Sequence, residues 1–431
     1  MKKVILVVTI AVIAIHSKAQ KNAAVQSQEK LPPVYSKTMK NSIAFFDENA
    51  YLPDRKAYYS EVDNEGKVVS KKIYTVALGR IIYGLSYSSK YESTNLQKAK
   101  DAAAFQINNL IGKEDAVGDY SISFIEGDKL DTSKTLDIWQ QAYGLCGLTE
   151  LYRNSPNKKL LTQIHRLHDA FVERYKDKKN GGFFGLYKID SGQVSGSKTL
   201  QSLMYPITAY LGNLWLADKE NRHKYEPIIN ENLAILYKHA WANELGWVNL
   251  KYDDYWNVCK HESAEKICFT VTPGHNFQFA SLLLRTKDWD FISEADKLKY
   301  KKMGLEILSS TLQKPIFSGN NISEGFFSEV NPTTNQILDF RKTWWQHCEA
   351  MIALSLCNGK YATELEALEN YFFSHFPDFK NKGDFFFLDK DNQPITTELK
   401  GAKGKSAYHT IELIRFLMEN KSTQNKTGNG E

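Results

Sequence analysis

The sequence predicts an all-α fold, an (α/α)6 toroid of six helical hairpins with short β-hairpin loops at the active-site end. Three observations predict it. A loop rich in Gly and aromatic residues, ending in Lys-Thr or a near variant, precedes an apolar helix six times along the chain. Successive copies start about 60–75 residues apart, enough for two helices and a hairpin. Between them lie second helices in which apolar and charged residues alternate at helical period, as in a helix wet on one side. Such repeats cannot bury their faces alone and must stack. An open solenoid is the other arrangement, but its inner faces would not be so aromatic and polar at one end.

Residues 1–19 begin with Lys2 and Lys3, continue through an apolar run from Val4 to Ile15, and end in Ser17-Lys18-Ala19 before Gln20. A basic start, a run too short to span a bilayer comfortably and a small-x-small site read as a cleavable signal peptide, hence a periplasmic or secreted protein. No cysteine follows the apolar run, so no lipoprotein anchor is expected, and no later run is apolar enough to cross a membrane. Residues 20–33 are polar and read as a flexible linker. Residues 34–420 form the main domain, and residues 421–431 read as a disordered tail.

Within the domain a helix around Lys40 to Glu48 is expected to pair with the last one. The six inner helices follow KKIYTVALGRIIYGL at Lys71, KTLDIWQQAYGLCGL at Lys134, KTLQSLMYPITAYL at Lys198, FTVTPGHNFQFASLLL at Phe269, KTWWQHCEAMIALSL at Lys342 and KSAYHTIELIRFL at Lys405. Outer helices include LQKAKDAAAFQINNLI, KLLTQIHRLHDAFVERY and YATELEALENYFFSHF. The loops GGFFGLYKIDSGQ, EGFFSEVNPTTNQ and GDFFFLDKDNQ each run from Gly and Phe to an acidic or Asn turn, as short hairpins do.

Of 431 residues, 42% are hydrophobic and 13% aromatic, enough for a substantial core. The formal charge of +5 falls close to neutral once the leader's lysines are removed, and no long basic block exists; nucleic-acid partners are not expected. There are five cysteines. Cys259 and Cys268 bracket a polar loop and are candidates for a disulfide in an oxidising compartment. Cys348 and Cys357 flank one helix, about 13 Å of rise apart and too far to bridge. Cys146 reads as core. No CxxC or HxxxH pair is present, so no metal site is expected.

In a toroid the inner helices run alike, so their first turns converge on one end. Alignment on the Lys-Thr signal places Arg80, Gln141, Tyr205, Glu349 and Glu412 at nearly equivalent depth. Gln201, Trp345 and His409 lie one turn earlier, and His275 and Gln278 fall in the same layer. Aromatic platforms with amides and charged hydrogen-bonding groups suit a sugar ring, which has apolar faces and a rim of hydroxyls. Two histidines suit proton transfer near neutral pH. His347 should point away from the Glu349 face, Trp344 reads as packing, and the histidines of the outer helices read as surface or cap residues.

With PGHNFQ at Pro273–Gln278, TWWQHCE at Thr343–Glu349, AYH at Ala407–His409 and Arg80 in its helix, the chain resembles the N-acylglucosamine 2-epimerase family. That family includes cellobiose 2-epimerases and mannose and sulfoquinose-type isomerases. The resemblance covers roughly Asn41 to Met418. It implies that His275 and His409 form an acid–base pair and that Arg80, Trp345 and Glu349 bind and orient the sugar. Two positions depart from the family pattern. Gln278 stands where Glu is common, and the third repeat has Gln201, Leu203 and Tyr205 where Asn and His are common. An amide at Gln278 orients an imidazole but does not hold its charge.

The resemblance thus implies a sugar epimerase or isomerase working at the reducing-end aldose of a mono- or oligosaccharide through an enediolate. Gln201, Tyr205 and Gln278 join the substrate-binding set, and no cofactor is needed. The expected partner is the sugar, with the chain a monomer or homodimer. Two other readings remain open on the residues: a glycoside hydrolase or polysaccharide lyase on the same toroid, using inward carboxylates such as Glu349, Glu412 and Asp137, and a sugar-binding protein without chemistry.

Overall fold

The computed structural model describes residues 31–259 and 265–427; the expected signal peptide lies outside them. The chain divides into two compact units, Met1–Ser36 and Lys37–Glu431. Of the first, residues 31–36 are described, and they hold the start of helix α1 (Pro33–Asn49).

The second unit alternates inner and outer helices. Inner α2 (Thr75–Ser88) is followed by outer α3 (Thr94–Asn109), inner α4 (Ile138–Asn154) and outer α5 (Lys158–Tyr175). The third inner helix has three parts: α6 (Leu200–Tyr205), a π-helical turn at Pro206–Leu211, and α7 (Gly212–Ala217). Outer α8 (Arg222–His239) and the short α9 (Lys266–Phe269) follow. Next come inner α10 (Pro273–Arg285), outer α11 (Glu294–Leu312), inner α12 (Trp344–Ser355) and outer α13 (Ala362–His375). Inner α14 (Tyr408–Thr427) is the last.

Burial separates the two layers. Every residue of α2 is buried, whereas α3 buries mainly Asn95, Ala99, Ala102, Ala103, Phe105 and Gln106. Around the ring α2 packs on α4, α4 on the third inner helix, α10 on α12, α12 on α14, and α14 back on α2. Glycine makes the α2–α4 contact possible: a Cβ on Gly147 would lie 2.2 Å from the carbonyl oxygen of Gly79, and one on Gly79 would lie 2.5 Å from that of Tyr143. Residues 37–49 of α1 close the outer layer against the last repeat, with Asn41 Nδ2 donating to Gly383 O at 2.9 Å and Ser42 Oγ to Asp384 at 2.6 Å.

Short antiparallel pairings link each repeat to the next at the end where the inner helices begin. Lys72–Tyr74 pairs with Phe124–Glu126, Thr135–Asp137 with Leu186–Lys188, and Lys342–Thr343 with Phe387–Leu388. Single bridges make the equivalent joints Thr199–Lys251 and Val271–Val330, and Val62–Gly401 joins the sixth repeat to the first. Six joints of one kind close the ring of an (α/α)6 toroid. The lysine of the repeated signal anchors several of them from inside: Lys198 Nζ donates to Asp177 at 2.7 Å and Asp254 O at 2.8 Å, and Lys342 Nζ to Glu324 O at 2.7 Å. Lys134 is exposed and Asp137 caps α4 instead, so in the second repeat the signal is only local.

Four expectations need correction. Pro206 has no amide hydrogen, and at this point the third inner helix changes to π-geometry rather than running on as one α-helix. The helix α14 continues to Thr427, past the expected start of the tail, because no Pro or Gly interrupts it before Gly428. Gln141 does not reach the site: its amide accepts from Ser121 N and donates to Ser121 O, both at 2.7 Å. His168 is buried rather than superficial, with Nδ1 3.1 Å from the Tyr210 hydroxyl, and burial lowers its pKa to about 3.

Candidate active site

The first turns of α10, α12 and α14 carry most of the candidate residues. Pro273 opens α10 with a fixed φ where the missing amide hydrogen costs nothing. Gly274 N then donates to Gln346 Oε1 at 2.8 Å, and a Cβ on Gly274 would lie 2.6 Å from Gln346 Cγ. This close fit sets His275 beside α12. Its ring centroid is 5.3 Å from that of Trp345, and the His409 ring is 6.1 Å from the same indole. Both histidines therefore lie against one aromatic wall.

Gln201 Nε2 lies 3.3 Å from His275 Nε2, a geometry in which the amide donates to the ring's lone pair. A capping box between Thr199 and Ser202 fixes the turn that carries Gln201. Burial lowers the His275 pKa to about 4, so its ring is neutral at pH 7. Burial first, and then the Arg80 guanidinium, hold His409 well below the usual imidazole range. His409 Nδ1 is 3.4 Å from Glu349 Oε1.

Glu349 is 5% exposed, and burial raises its pKa to about 7 against the hydrogen bond from Gln278 Nε2 at 2.9 Å. Glu412 is raised by burial and then by Glu349. The donor atoms of Glu349, His409 and Glu412 all lie within 4.8 Å of one another; among the described residues this is the one cluster of three or more His, Cys, Asp or Glu side chains that could hold a metal ion. The expectation of no metal site rested on local spacing, which is blind to ligands brought together from α12 and α14.

Arg80 comes from α2 and is 4% exposed. Its guanidinium lies 4.0 Å from the ring centroid of Tyr143, 5.4 Å from Tyr408 and 5.7 Å from Trp139, and Nη1 donates to Gly404 O. Among the described residues it forms no ion pair, and its buried Nε has no hydrogen-bond partner. A buried cation without a carboxylate partner is positioned to meet negative charge from elsewhere.

A cavity of about 540 Å³ reaches inward as far as Gln201 and Tyr205, with Trp139, Leu186, Val194, Lys251 and Ile267 among its walls. Tyr205 touches Tyr143 edge-to-face at 5.8 Å, just before the π-turn. The sequence reading missed Trp139, whose position follows from Asp137 accepting from Trp139 N at 2.8 Å. Asp137 caps the helix through Oδ1 and also lines this cavity. A polar residue before an apolar run was the available signal. Trp344 is packing, with Nε1 donating to Thr410 Oγ1 at 2.9 Å. His347 is locked between Thr343 O at 2.8 Å and Phe326 N at 3.2 Å. Cys259 and Cys268 form a disulfide with Cα atoms 5.8 Å apart.

The class is therefore an (α/α)6 toroid with a buried imidazole–carboxyl–guanidinium centre at the mouth of its ring. The chain belongs to the N-acylglucosamine 2-epimerase (GlcNAc 2-epimerase) family, whose sequence model matches residues 57–412. Its fold is similar to that of a D-mannose isomerase, at 15% identity over 92% of this chain and 99% of that one, with a TM-score of 0.78. The cellobiose 2-epimerase from Spirochaeta thermophila gives 15% identity, 90% and 96% coverage and a TM-score of 0.76. The cellobiose 2-epimerase from Bacillus thermoamylovorans gives 16%, 89% and 98%, and 0.75. No curated protein matches the chain by sequence.

Proposed function

We propose that this protein is a carbohydrate 2-epimerase or aldose–ketose isomerase in which His275 and His409 move the proton. The observation that carries the reading is that both rings lie against the single indole of Trp345, where burial lowers the pKa of each. A neutral imidazole accepts a proton; an imidazolium does not. One histidine takes the C2 proton of an open-chain aldose. The C–H electron pair forms the C1–C2 double bond, and the carbonyl π pair moves onto O1. Arg80, lacking a carboxylate partner, meets the charge that develops on oxygen. If the captured proton exchanges through water onto the other histidine, that residue delivers it to the opposite face of C2 while the O1 pair re-forms the carbonyl, giving the epimer; delivery to C1 instead, with the O2 hydroxyl proton passing to O1, gives the ketose.

Gln201, Tyr205 and Trp345 would hold the sugar, while Gln278 and Glu349 would orient His409 and the sugar hydroxyls. Residues 1–19 would direct export, and the Cys259–Cys268 bond supports an oxidising compartment for the mature chain. The test is incubation of the protein with mannose-, glucose- and cellobiose-type sugars, read by NMR. New epimer or ketose with intact glycosidic bonds supports the reading. New reducing ends would instead favour hydrolysis by Glu349 and Glu412.

A further inference from the structure

We infer that the Cys259–Cys268 disulfide is a positioning element of this site, holding Ile267 in the cleft wall where the third and fourth repeats meet. The inference rests on the proposed sugar reaction and adds a control on substrate capture. Of the six neighbouring pairs of inner helices, the third and fourth pack least closely. Yet this junction carries the contact between Gln201 and His275.

The chain around the disulfide spans that junction. Leu200 N donates to Leu250 O at 2.9 Å and Tyr252 N to Lys198 O at 3.1 Å, fastening residues 250–252 to the start of α6, which bears Gln201. Cys259 N donates to Lys251 O at 3.1 Å, so Cys259 belongs to the same fastened segment. Across the disulfide, Cys268 leads directly through Val271, paired with Val330, into α10 and His275. Between the two anchors Lys251 pairs with Glu265, and both Lys251 and Ile267 line the cavity. The bond thus ties the loop that seats Gln201 to the turn that enters the helix of His275.

The other cysteines, Cys146, Cys348 and Cys357, are free and buried, so a reductant has one bond to act on. A dithiol cleaves it by exchange: the S–S bond breaks, Cys259 and Cys268 take up hydrogen as thiols, and the reductant's two thiols become its own disulfide. Neither cysteine nor Ile267 is a proton-transfer group, so reduction removes none of the reacting side chains. It therefore weakens capture more than chemistry.

The experiment compares the full chain, Cys259→Ser/Cys268→Ser and Ile267→Ala, each with and without dithiothreitol. The expected result is a KM raised about five- to tenfold in both variants and in the reduced full chain, with kcat within about twofold. The double serine variant should not respond to dithiothreitol, whereas Ile267→Ala should respond no further than the double variant. An unchanged KM in the double variant overturns the inference, as does a fall in kcat at constant KM. If the full chain turns over no sugar, the proposed reaction fails on its own. Amide hydrogen exchange then reads the positioning role. Faster exchange on reduction confined to Thr199–Tyr205 and Val271–Gln278 supports it; unchanged or uniformly faster exchange overturns it.

Discussion

Substitution of Glu349 by Gln should make the protein more tolerant of rising pH. The carboxyl ordinarily titrates near 4.5 and in the folded chain near 7, because burial penalises its charge more than Gln278, Arg285 and Arg80 compensate. A group whose folded pKa is raised binds more protons folded than unfolded across that interval. Its contribution is thus fully present below pH 4.5 and lost as pH climbs to 7. At about 1.4 kcal/mol per pKa unit, the loss amounts to about 3 kcal/mol. Gln keeps the shape and an oxygen to accept from Gln278, but does not titrate. His275, lowered to about 4, contributes the opposite slope from about pH 4 to 6.5, and it does so equally in both proteins. The comparison therefore removes the titration of Glu349 together with the part of the Glu412 shift that Glu349 causes, which has the same sign. Urea unfolding of both proteins at several pH values should give a variant-minus-parent difference that grows by about 3 kcal/mol between pH 4.5 and 7. Parallel stability curves would refute the reasoning.

Arg80→Lys should cut kcat by at least about tenfold with little change in KM, since an ammonium cannot reproduce a planar fork stacked on Tyr143 and bonded to Gly404 O; steady-state kinetics on the accepted sugar would show it. Gly147→Ala should cost about 1–3 kcal/mol or more, read as a lowered Tm, because its Cβ would press on Gly79 O and push α4 away from α2. Mass spectrometry of protein from the native host's envelope should find an N-terminus at Gln20 or within a residue or two of it; an intact Met1 would contradict export by cleavage.

Much of the ring is legible because its cause is local. An inner helix buried on every side, such as Thr75–Ser88, and an amphipathic partner such as Lys158–Tyr175 differ in sequence as plainly as in environment. His275, Trp345, Glu349 and His409 could be aligned because six inner helices start at one level. Gln141 broke that inference: equal depth fixes the height of a side chain but not the direction it faces, and Ser121 captures its amide. Partners brought from distant segments left no periodic trace. Gln346 accepting from Gly274 and the Val62–Gly401 joint belong to this group. The π-turn at Pro206 had a local signal in the proline, but periodicity alone reads through it.

The central claim is that two neutral histidines move a proton at C2, and solvent isotope incorporation tests it most directly. In deuterated water with an accepted aldose, the parent protein should place deuterium at C2 of the epimer, or at C1 of the ketose. His275→Asn and His409→Asn should each fold normally and lose at least about a hundredfold in that rate, the low end of what a positioned acid or base contributes. Glu349→Gln should act mainly on binding. Full incorporation in both His→Asn proteins, together with a Glu349→Gln protein that turns over nothing, would contradict the account and point to carboxylate chemistry instead.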